Sequence, residues 1–514
     1  MNWTLEQAAR AMGAAAAGAA AAGSPENDDA TAILSTPFAG VSIDSRTVAR
    51  GNLFFAVRGE RHDAHQFVPG ALAAGAVAAI VAEGRAGEFD PAVRSRLLVV
   101  DDPLAALQRL AREWRIEWGR RPAAGGAARR LAGVTGSVGK TTTKEILAAL
   151  LGTRFRTLKS TGNLNNLFGV PLMLARLEVE EDGHDAAVLE LGMSRAGEIA
   201  RLAWMARPEV GVVTRVAPVH LEFFSSVEEI AAAKRELIEG LAGDGPVAVL
   251  NADDPLVAAF AGVIERGGRG RVITFGLSPS AEFRALRITE RGLGGSEMEY
   301  ASPAGRATVE IPLLGRHNAL NVLGALAAAS VWGIGAEEAR RALAELAPSA
   351  MRGEVLRFEA GYAVINDCYN SSPAALAAAV ATLAHAPGFR RRILVAGEML
   401  ELGASSPALH REAGAQAASF GSVDWIFAVQ GDAREILRGA AAAGHPHARE
   451  RFFTTVDEAA QFLPSFLEAG DVVLLKGSRG VHLERVLEAI ATQSPLDRSL
   501  QGNGAAAARR EGVH

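Results

Sequence analysis

The sequence predicts an α/β protein with three domains. Its 514 residues exceed what a single hydrophobic core organises. Two separate series of apolar, strand-like runs alternate with helical stretches, and such alternation is typical of mostly parallel sheets. We therefore expect a small N-terminal α/β domain over residues 1–102, a central domain over 103–349, a Rossmann-like C-terminal domain over 350–495 and a disordered tail over 496–514.

The composition is that of an ordinary soluble protein, with 49% hydrophobic and 22% charged residues. A net charge of −5 gives no reason to expect nucleic acid as a partner. The single cysteine, Cys368, excludes an intrachain disulfide and suits a reducing compartment. The alanine- and glycine-rich stretch over 11–23 lacks the basic flank of a signal peptide and the apolar length of a membrane span. We expect a low-complexity loop there, in a cytoplasmic protein without stable membrane insertion.

The first domain shows two strand-like runs, at 53–57 and 78–82, with a helical stretch over 65–75 between them. Ser45 and Arg46 stand at the start of an earlier loop, in the sequence VSIDSR. A hydroxyl and a guanidinium group there suit a phosphate or a nucleobase. The Asp-Ser-Arg sequence alone is weak support for such a binding site, because solvated Asp-Ser-Arg turns are common.

The central domain opens on a phosphate-binding loop. A strand-like run at 97–102 leads into an amphipathic helix over 103–120, and the motif LAGVTGSVGKTTTKE follows over 131–145. Glycines let backbone N–H groups surround an anion, and the helix N-terminus adds partial positive charge. Lys140 is then placed to reach the outer phosphates, and the Thr141 hydroxyl to hold Mg²⁺. The residues expected around the phosphates are Thr135, Gly136, Ser137, Val138, Gly139, Lys140, Thr141 and Thr142.

Polar residues follow at the ends of the next predicted elements. Asn163, Asn165 and Asn166 lie in a glycine-flanked loop and offer donors and acceptors to a polar ligand, although they also suit a plain turn. The strand predicted over 186–192 places Glu190 near its carboxyl end, where ligands and metals gather in open α/β sheets.

Further strands and helices continue this pattern. A strand over 210–216 precedes a loop with His220, and a helix over 226–241 carries Lys234. The segment over 284–311 alternates in polarity, which predicts an antiparallel excursion. Four apolar runs then predict the strands of the C-terminal sheet: YAVIND, RRILVAG, DWIFAVQG and DVVLLKG.

Taken together, these motifs resemble the Mur ligase family over about residues 41–490. The motifs that carry the resemblance are TGSVGKTTTKE, the Asn163–Asn166 loop, LELG, the His220–Lys234 segment, GRHNALN, NDCYNSSP and LLKGSR, in that order. VSIDSR, GNLNNLFGVPL and GEMLELG followed by His410 resemble the branch that adds D-alanyl-D-alanine to a UDP-linked muramoyl tripeptide. The DNPR-type signature of the branch that adds the third residue is not evident.

The resemblance implies a cytoplasmic ligase of peptidoglycan precursor synthesis that uses ATP and two Mg²⁺ ions. ATP would phosphorylate the tripeptide carboxylate, and the dipeptide amine would attack the acyl phosphate. Thr141 and Glu190 would hold one Mg²⁺ ion. His220 and a carbamylated Lys234 would hold the second, although spacing alone describes Lys234 as a solvated helix lysine.

The resemblance also assigns the remaining sites, and we expect a monomer. The nucleotide contacts it implies, besides the phosphate loop, are His317, Asn318, Asn321, Arg352, Asp367 and Lys476. The substrate contacts it implies are Ser45 and Arg46 for the UDP part, Asn163, Asn165 and Asn166 for the sugar–peptide part, and Tyr369, Asn370 and Ser371 for the dipeptide.

Three alternatives stay open at this point. Another ligase of the family could add an amino acid to a muramoyl peptide or glutamate to folate, although the VSIDSR-containing first domain speaks against the folate enzyme. A P-loop NTPase switch or motor would need neither the Lys234 segment nor a separate ligand-binding domain. A silent UDP-sugar-binding regulator is disfavoured because Lys140, Thr141 and Glu190 are all present.

Overall fold

The computed structural model describes residues 3–16, 33–59, 62–123, 126–180, 182–219, 221–268 and 270–497. Within these residues the strands form three sheets, each mostly parallel, which confirms the predicted α/β class. Among the helices described, none combines the length and the apolar composition that a membrane-spanning segment requires.

The first sheet has the order β1-β5-β4-β3-β2, and only the edge pair β1–β5 is antiparallel. Its strands are β1 Ala15–Ala16, β2 Val41–Ser42, β3 Leu53–Phe55, β4 Ala78–Ala82 and β5 Leu97–Val100. The helices beside it are α1 Leu5–Met12, α2 Val68–Ala73 and α3 Pro91–Arg94.

Two expectations for this domain need correction. The stretch over 11–23 is not a loop from its start, because Met12 ends a helix capped by Thr4 and Ala15 pairs with Val99. Residues 17–23 lie outside the described residues. The predicted helix over 65–75 is a short 3₁₀ turn, Ala64–Phe67, followed by α2.

Helix α4, Pro103–Arg120, has the bounds that the sequence predicts. Asp102 caps it by accepting hydrogen bonds from the N–H groups of Leu104 and Ala105. Its N-terminal half packs Ala106, Leu107 and Leu110 into the first core, and its C-terminal half packs Ala111, Trp114 and Trp118 into the central core. The helix therefore belongs to both domains that it joins.

The central sheet has the order β14-β13-β12-β11-β10-β9-β6-β8-β7. Its strands are β6 Arg130–Thr135, β7 Thr157–Lys159, β8 Ala186–Glu190, β9 Val210–Val213, β10 Val247–Asn251, β11 Arg271–Gly276, β12 Phe283–Glu290, β13 Ser296–Ser302 and β14 Gly305–Ile311. Pairing is parallel from β7 to β12, and β12–β14 are antiparallel, as the alternating polarity predicts.

Helices cover both faces of the central sheet. They are α5 Lys140–Gly152, α6 Gly169–Leu174, α7 Glu198–Ala206, α8 Val227–Glu239, α9 Pro255–Ala258, α10 Ala261–Gly267, α11 Arg316–Ala329 and α12 Ala336–Ala344. Side chains of α5, α11 and α12 fill the core on one face, and side chains of α4, α6, α7 and α8 fill the core on the other. This layering exposes the carboxyl ends of the parallel strands along one edge.

The C-terminal sheet has the order β15-β16-β20-β17-β18-β19, with only the edge pair β15–β16 antiparallel. Its strands are β15 Glu354–Arg357, β16 Ala363–Asp367, β17 Arg391–Gly397, β18 Trp425–Val429, β19 Glu450–Phe453 and β20 Asp471–Lys476. Its helices are α13 Pro373–Ala384, α14 Ser406–Ser419, α15 Arg434–Ala442, α16 Val456–Phe466 and α17 Glu484–Gln493.

The start of the expected tail is ordered. Leu496 forms a bridge with Phe358, and the N–H of Asp497 donates to the carbonyl of Arg357 at 2.9 Å. Residues 498–514 lie outside the described residues.

Candidate active site

A cavity of about 530 Å³ lies where the central and C-terminal domains face each other. Many of the residues singled out from the sequence line it. From the central domain these are Ser137, Val138, Gly139, Lys140, Thr141, Thr142, Asn165, Asn166, Glu190, Lys234, His317, Asn318 and Asn321. From the C-terminal domain they are Arg352, Asp367, Tyr369, Asn370, Ser371 and Lys476. One continuous site thus draws on both domains.

The phosphate loop joins β6 to α5 and requires glycine at two positions. Gly136 has φ +148° and Gly139 has φ +87°, which are conformations that favour glycine. A Cβ atom at Gly136 would collide with the Thr214 hydroxyl, and one at Gly139 would collide with the Asn321 side chain. The loop is thereby packed against its neighbours closely enough that only backbone fits.

Lys140 is folded back onto the loop. Its Nζ donates to the carbonyl oxygens of Gly136 at 2.8 Å and Ser137 at 3.3 Å. Its enclosed position lowers the pKa of Lys140, and the nearby charge of Glu190 opposes that effect. An anion entering the loop would find both the ammonium group and the N-terminus of α5.

Glu190 ends β8 and is almost fully buried, with 4% of its surface exposed. Its carboxylate accepts hydrogen bonds from the Thr141 hydroxyl at 2.8 Å and the Asn165 amide at 2.9 Å. Its backbone N–H donates to the Ser160 hydroxyl at 3.0 Å. A carboxylate, a hydroxyl and an amide oxygen are hard oxygen ligands that suit Mg²⁺. Among the residues described, no group of three or more His, Cys, Asp or Glu side chains converges as a metal cage.

Lys234 lies on α8 and borders the same cavity, although only 2% of its surface is exposed. Burial, together with the charge of Lys140, lowers the pKa of Lys234 well below its ordinary value. Both effects favour the uncharged amine over the ammonium form. His220, expected beside it, lies outside the described residues.

The start of α11 forms the side of the cavity next to the phosphate loop. The Asn318 amide donates to the carbonyl of Leu314 at 2.8 Å, and the Asn321 amide donates to Asn318 at 2.9 Å. Desolvation in the enclosed cleft lowers the pKa of His317. The three residues of the GRHNALN motif thus present neutral polar groups to the site.

The C-terminal domain contributes charge and an unpaired hydroxyl. Lys476 Nζ lies 2.6 Å from the Asp367 carboxylate and 3.1 Å from the carbonyl of Asn370. The Arg352 guanidinium stacks over the Tyr369 ring, 4.2 Å from its centre. Ser371 is 5% exposed, and its hydroxyl has no hydrogen-bond partner among the described residues.

Of the predicted site residues that the structure describes, five do not line this cavity. Thr135 is fully buried beneath the loop, where its hydroxyl donates to Leu191, and Gly136 serves the turn. Asn163 lies behind Asn165 and accepts a hydrogen bond from its N–H group at 2.8 Å. Ser45 and Arg46 lie on the first domain.

The Arg46 guanidinium is paired with Asp44, at 2.9 Å and 2.7 Å from its two carboxylate oxygens. Hydrogen bonds from Arg46 lower the pKa of Asp44. Any ligand of Arg46 must therefore share the guanidinium with this carboxylate.

Several residues of the site were missed from the sequence. Thr214 follows β9 and donates to the carbonyl of Val138 at 2.6 Å, which supports the phosphate loop. Ser160 follows β7 and holds the backbone of Glu190. Both residues follow the carboxyl ends of parallel strands, where ligands gather in open α/β sheets. The argument that selected Glu190 therefore also applies to them.

Curated proteins of one kind resemble this chain over most of its length. A UDP-N-acetylmuramoyl-tripeptide–D-alanyl-D-alanine ligase from Bacillus subtilis is 34% identical over 461 residues, which cover 90% of this chain and 94% of the relative. The ligase of the same name from Escherichia coli is 35% identical and covers 88% and 93% of the two chains. Family models match as well: Mur ligase family, catalytic domain, at 37–115, Mur ligase middle domain at 134–329, and Mur ligase, glutamate ligase domain, at 351–479.

The chain belongs to the Mur ligase family. Solved Mur ligase structures share its architecture. A MurF structure from Acinetobacter baumannii superimposes with a TM-score of 0.82 at 29% identity and covers 96% of this chain and 99% of that one. A MurF ligase from Thermotoga maritima, solved with ADP, has a TM-score of 0.74 at 29% identity and covers 88% and 97%. The Mur ligase fold predicted from the motifs is thus confirmed.

Proposed function

We propose that this Mur ligase joins D-alanyl-D-alanine to the terminal carboxylate of UDP-N-acetylmuramoyl-tripeptide and converts ATP to ADP and phosphate. The observation that carries the proposal is the single cavity that unites the phosphate loop, the buried carboxylate and the C-terminal domain. The names of the curated relatives support the choice of both substrates.

The chemistry requires a carboxylate to approach an anionic triphosphate, and positive charge must reduce that repulsion. Lys140 supplies it at the γ-phosphate, together with the loop N–H groups. The tripeptide carboxylate attacks the γ-phosphorus, ADP leaves, and an acyl phosphate forms. The neutral amine of the dipeptide then attacks the acyl carbon and phosphate leaves.

We propose that the site takes two Mg²⁺ ions, which would screen the phosphate charge. Thr141 and Glu190 are in contact and would hold one of these ions. His220 and Lys234 would hold the second. The Lys234 amine, in its uncharged form, would add CO₂ and release a proton to give a carbamate, which would supply an anionic oxygen ligand at this position.

The remaining contacts divide between the two ends of the cleft. His317, Asn318 and Asn321 would hold the adenine side of ATP, and Arg352, Asp367 and Lys476 would reach the nucleotide from the C-terminal domain. Ser45 and Arg46 would bind the UDP part of the substrate, and Asn163, Asn165 and Asn166 the sugar–peptide part. Tyr369, Asn370 and Ser371 would bind the dipeptide, for which the unpaired Ser371 hydroxyl is suited. We further propose a cytoplasmic monomer.

Phosphate release from ATP, with UDP-muramoyl tripeptide present and D-alanyl-D-alanine added or omitted, tests the reaction. We expect release and a pentapeptide product only when the dipeptide is present. Equal release without the dipeptide, and no peptide product, would refute the ligase and favour an NTPase switch. Product formed with a single amino acid instead would indicate another branch of the family.

The carbamate has a separate test. Lys234→Ala should abolish activity, and short carboxylic acids should restore part of it by supplying the missing oxygen ligand. Arg235→Ala is the matched control, because Arg235 follows on the same helix and pairs at the surface with Glu239, 2.7 Å away. Full activity of the Lys234 variant in buffer depleted of CO₂ would contradict the carbamate.

A further inference from the structure

The loop Met399–Leu402 forms part of the cavity wall, and nothing in the proposed chemistry explains how it is held. Met399 and Leu402 are 1% and 3% exposed and pack into the core of the C-terminal domain. Leu400, Glu401 and Leu402 also border the cavity. The loop is therefore anchored at its two ends, and its middle faces the site.

The middle of this loop has an unfavourable backbone. Glu401 has φ +64°, a conformation that costs a non-glycine residue free energy and persists where surrounding contacts enforce it. The carboxylate of Glu401 is near enough to Lys140 for its charge to raise the pKa of that lysine, although desolvation dominates and lowers it. The loop thus brings a negative charge towards the phosphate-binding end of the cleft.

The same loop touches the central domain. The N–H of Glu222 donates to the carbonyl of Glu401 at 3.4 Å, and a Cβ atom at Gly403 would lie 3.3 Å from the Cα of Glu222. This contact joins the two halves of the cleft directly, so the position of the loop and the width of the cleft are linked.

Two buried side chains hold the loop backbone. His410, which is fully buried on α14, accepts a hydrogen bond at Nε2 from the N–H of Met399 at 2.9 Å. Its Nδ1 donates to the carbonyl of Ser406 at 2.8 Å, which fixes the neutral ring with its proton on Nδ1. Burial lowers the pKa of His410 and keeps that form. The Ser478 hydroxyl accepts from the N–H of Leu400 at 2.9 Å.

We propose that His410 is a positioning residue for the incoming dipeptide: it holds the Met399–Leu402 loop so that Glu401 presents its carboxylate to the amino group of the dipeptide. The inference rests on the proposed function, because it assigns the loop to the second substrate. It explains why a neutral histidine is buried four residues into a helix next to a strained loop. Ser478 acts on the same loop from the other side.

The test compares substrate dependences of purified variants. His410→Leu removes the acceptor and should lower kcat/KM for D-alanyl-D-alanine about tenfold, while the KM for ATP stays within about twofold. His410→Gln places an amide oxygen near the position of Nε2 and should recover most of that loss. Ser478→Ala removes the other hydrogen bond to the loop and should also lower kcat/KM for the dipeptide. It replaces His410→Leu in the test if that variant folds poorly.

A buried histidine elsewhere in the domain supplies the control. His445 is 9% exposed and does not border the cavity; its Nδ1 lies 3.1 Å from the Glu450 carboxylate and its Nε2 lies 3.3 Å from the carbonyl oxygen of Val423. His445→Gln should leave the KM values of all three substrates unchanged. The inference is overturned if Ser478→Ala leaves kcat/KM for the dipeptide unchanged, or if the KM for ATP rises as much as that for the dipeptide.

These results are separable from the proposed function. Wild-type protein that forms no dipeptide-dependent product refutes the ligase reaction whatever the variants do. If the wild-type protein is active and the variants have an unchanged kcat/KM for the dipeptide, only the role of His410 is refuted.

Discussion

Replacing Gln108 should weaken binding of the UDP-linked substrate without affecting ATP. Gln108 lies on α4 and is 5% exposed. Its amide donates to the carbonyl of Leu167 at 3.0 Å, and its oxygen accepts from the Arg201 guanidinium at 2.8 Å. Leu167 belongs to the loop that carries Asn165, so Gln108 connects the helix shared with the first domain to the loop that contacts Glu190.

The magnitude follows from the two bonds. A neutral hydrogen bond contributes about 1 kcal/mol and one to a charged group about 1.5–3 kcal/mol. Gln108→Leu keeps the volume and loses both, but Leu167 and Arg201 are partly exposed, so water recovers part of the loss. We expect the loop conformation that binds substrate to be destabilised by about 1.4 kcal/mol. This free energy corresponds to about a tenfold higher KM for UDP-muramoyl tripeptide.

Steady-state kinetics with each substrate varied in turn measures this effect. Arg201→Leu and the double variant complete a double-mutant cycle, in which the two changes should be clearly non-additive because they share one bond. Gln416→Leu, at an exposed position on α14, is the control. An unchanged tripeptide KM in a folded Gln108→Leu protein, or an equal rise in the KM for ATP, would refute the reasoning.

Two further predictions concern α5. Gly139→Ala should reduce the affinity for ATP at least about tenfold, because Gly139 has φ +87° and a Cβ atom there would collide with Asn321. Titration calorimetry measures this affinity, and an undiminished value would contradict the prediction. Burial raises the pKa of Glu145, but Lys144 and Lys159 outweigh that effect and hold it below its ordinary value. Glu145→Gln should therefore lower the stability at pH 7 by about 1–2 kcal/mol, seen as a lower Tm. The difference should shrink as the pH falls below about 4.5, the ordinary value, and should be lost once the pH is below the lowered pKa of Glu145 in the folded protein. A pH-independent difference would contradict this prediction.

Local chemistry accounts for the parts of this molecule that were predictable. Asp102 followed by proline marks a helix start whatever surrounds it, and the bounds of α4 were right. The run that ends at Glu190 is continuously apolar and predicts a buried strand, which is present, with Glu190 at the cavity. The edge strands β15 and β19 were missed, because short, half-exposed strands show neither a continuous apolar run nor clear alternation.

Tertiary contacts account for what could not be predicted. The partners of Gln108 lie 59 and 93 residues away along the chain, and no local pattern announces such a pairing. His410 was noticed only as part of a motif, since its role depends on a loop that approaches from another element. The assignment of Ser45 and Arg46 to the UDP part stays a prediction, because they lie apart from the cavity and the pairing of Arg46 with Asp44 does not test it.

The sharing of α4 between two cores has a consequence for dividing the chain. A fragment ending at Asp102 would lack Leu107 and Leu110, which fill the first core. A fragment extended to Arg120 would keep them but expose Trp114 and Trp118, whose indole N–H groups donate to carbonyls of the central domain in the whole chain. No single cut near this helix leaves both neighbours with an intact interior, so the first two domains are one unit for truncation, fusion or domain exchange.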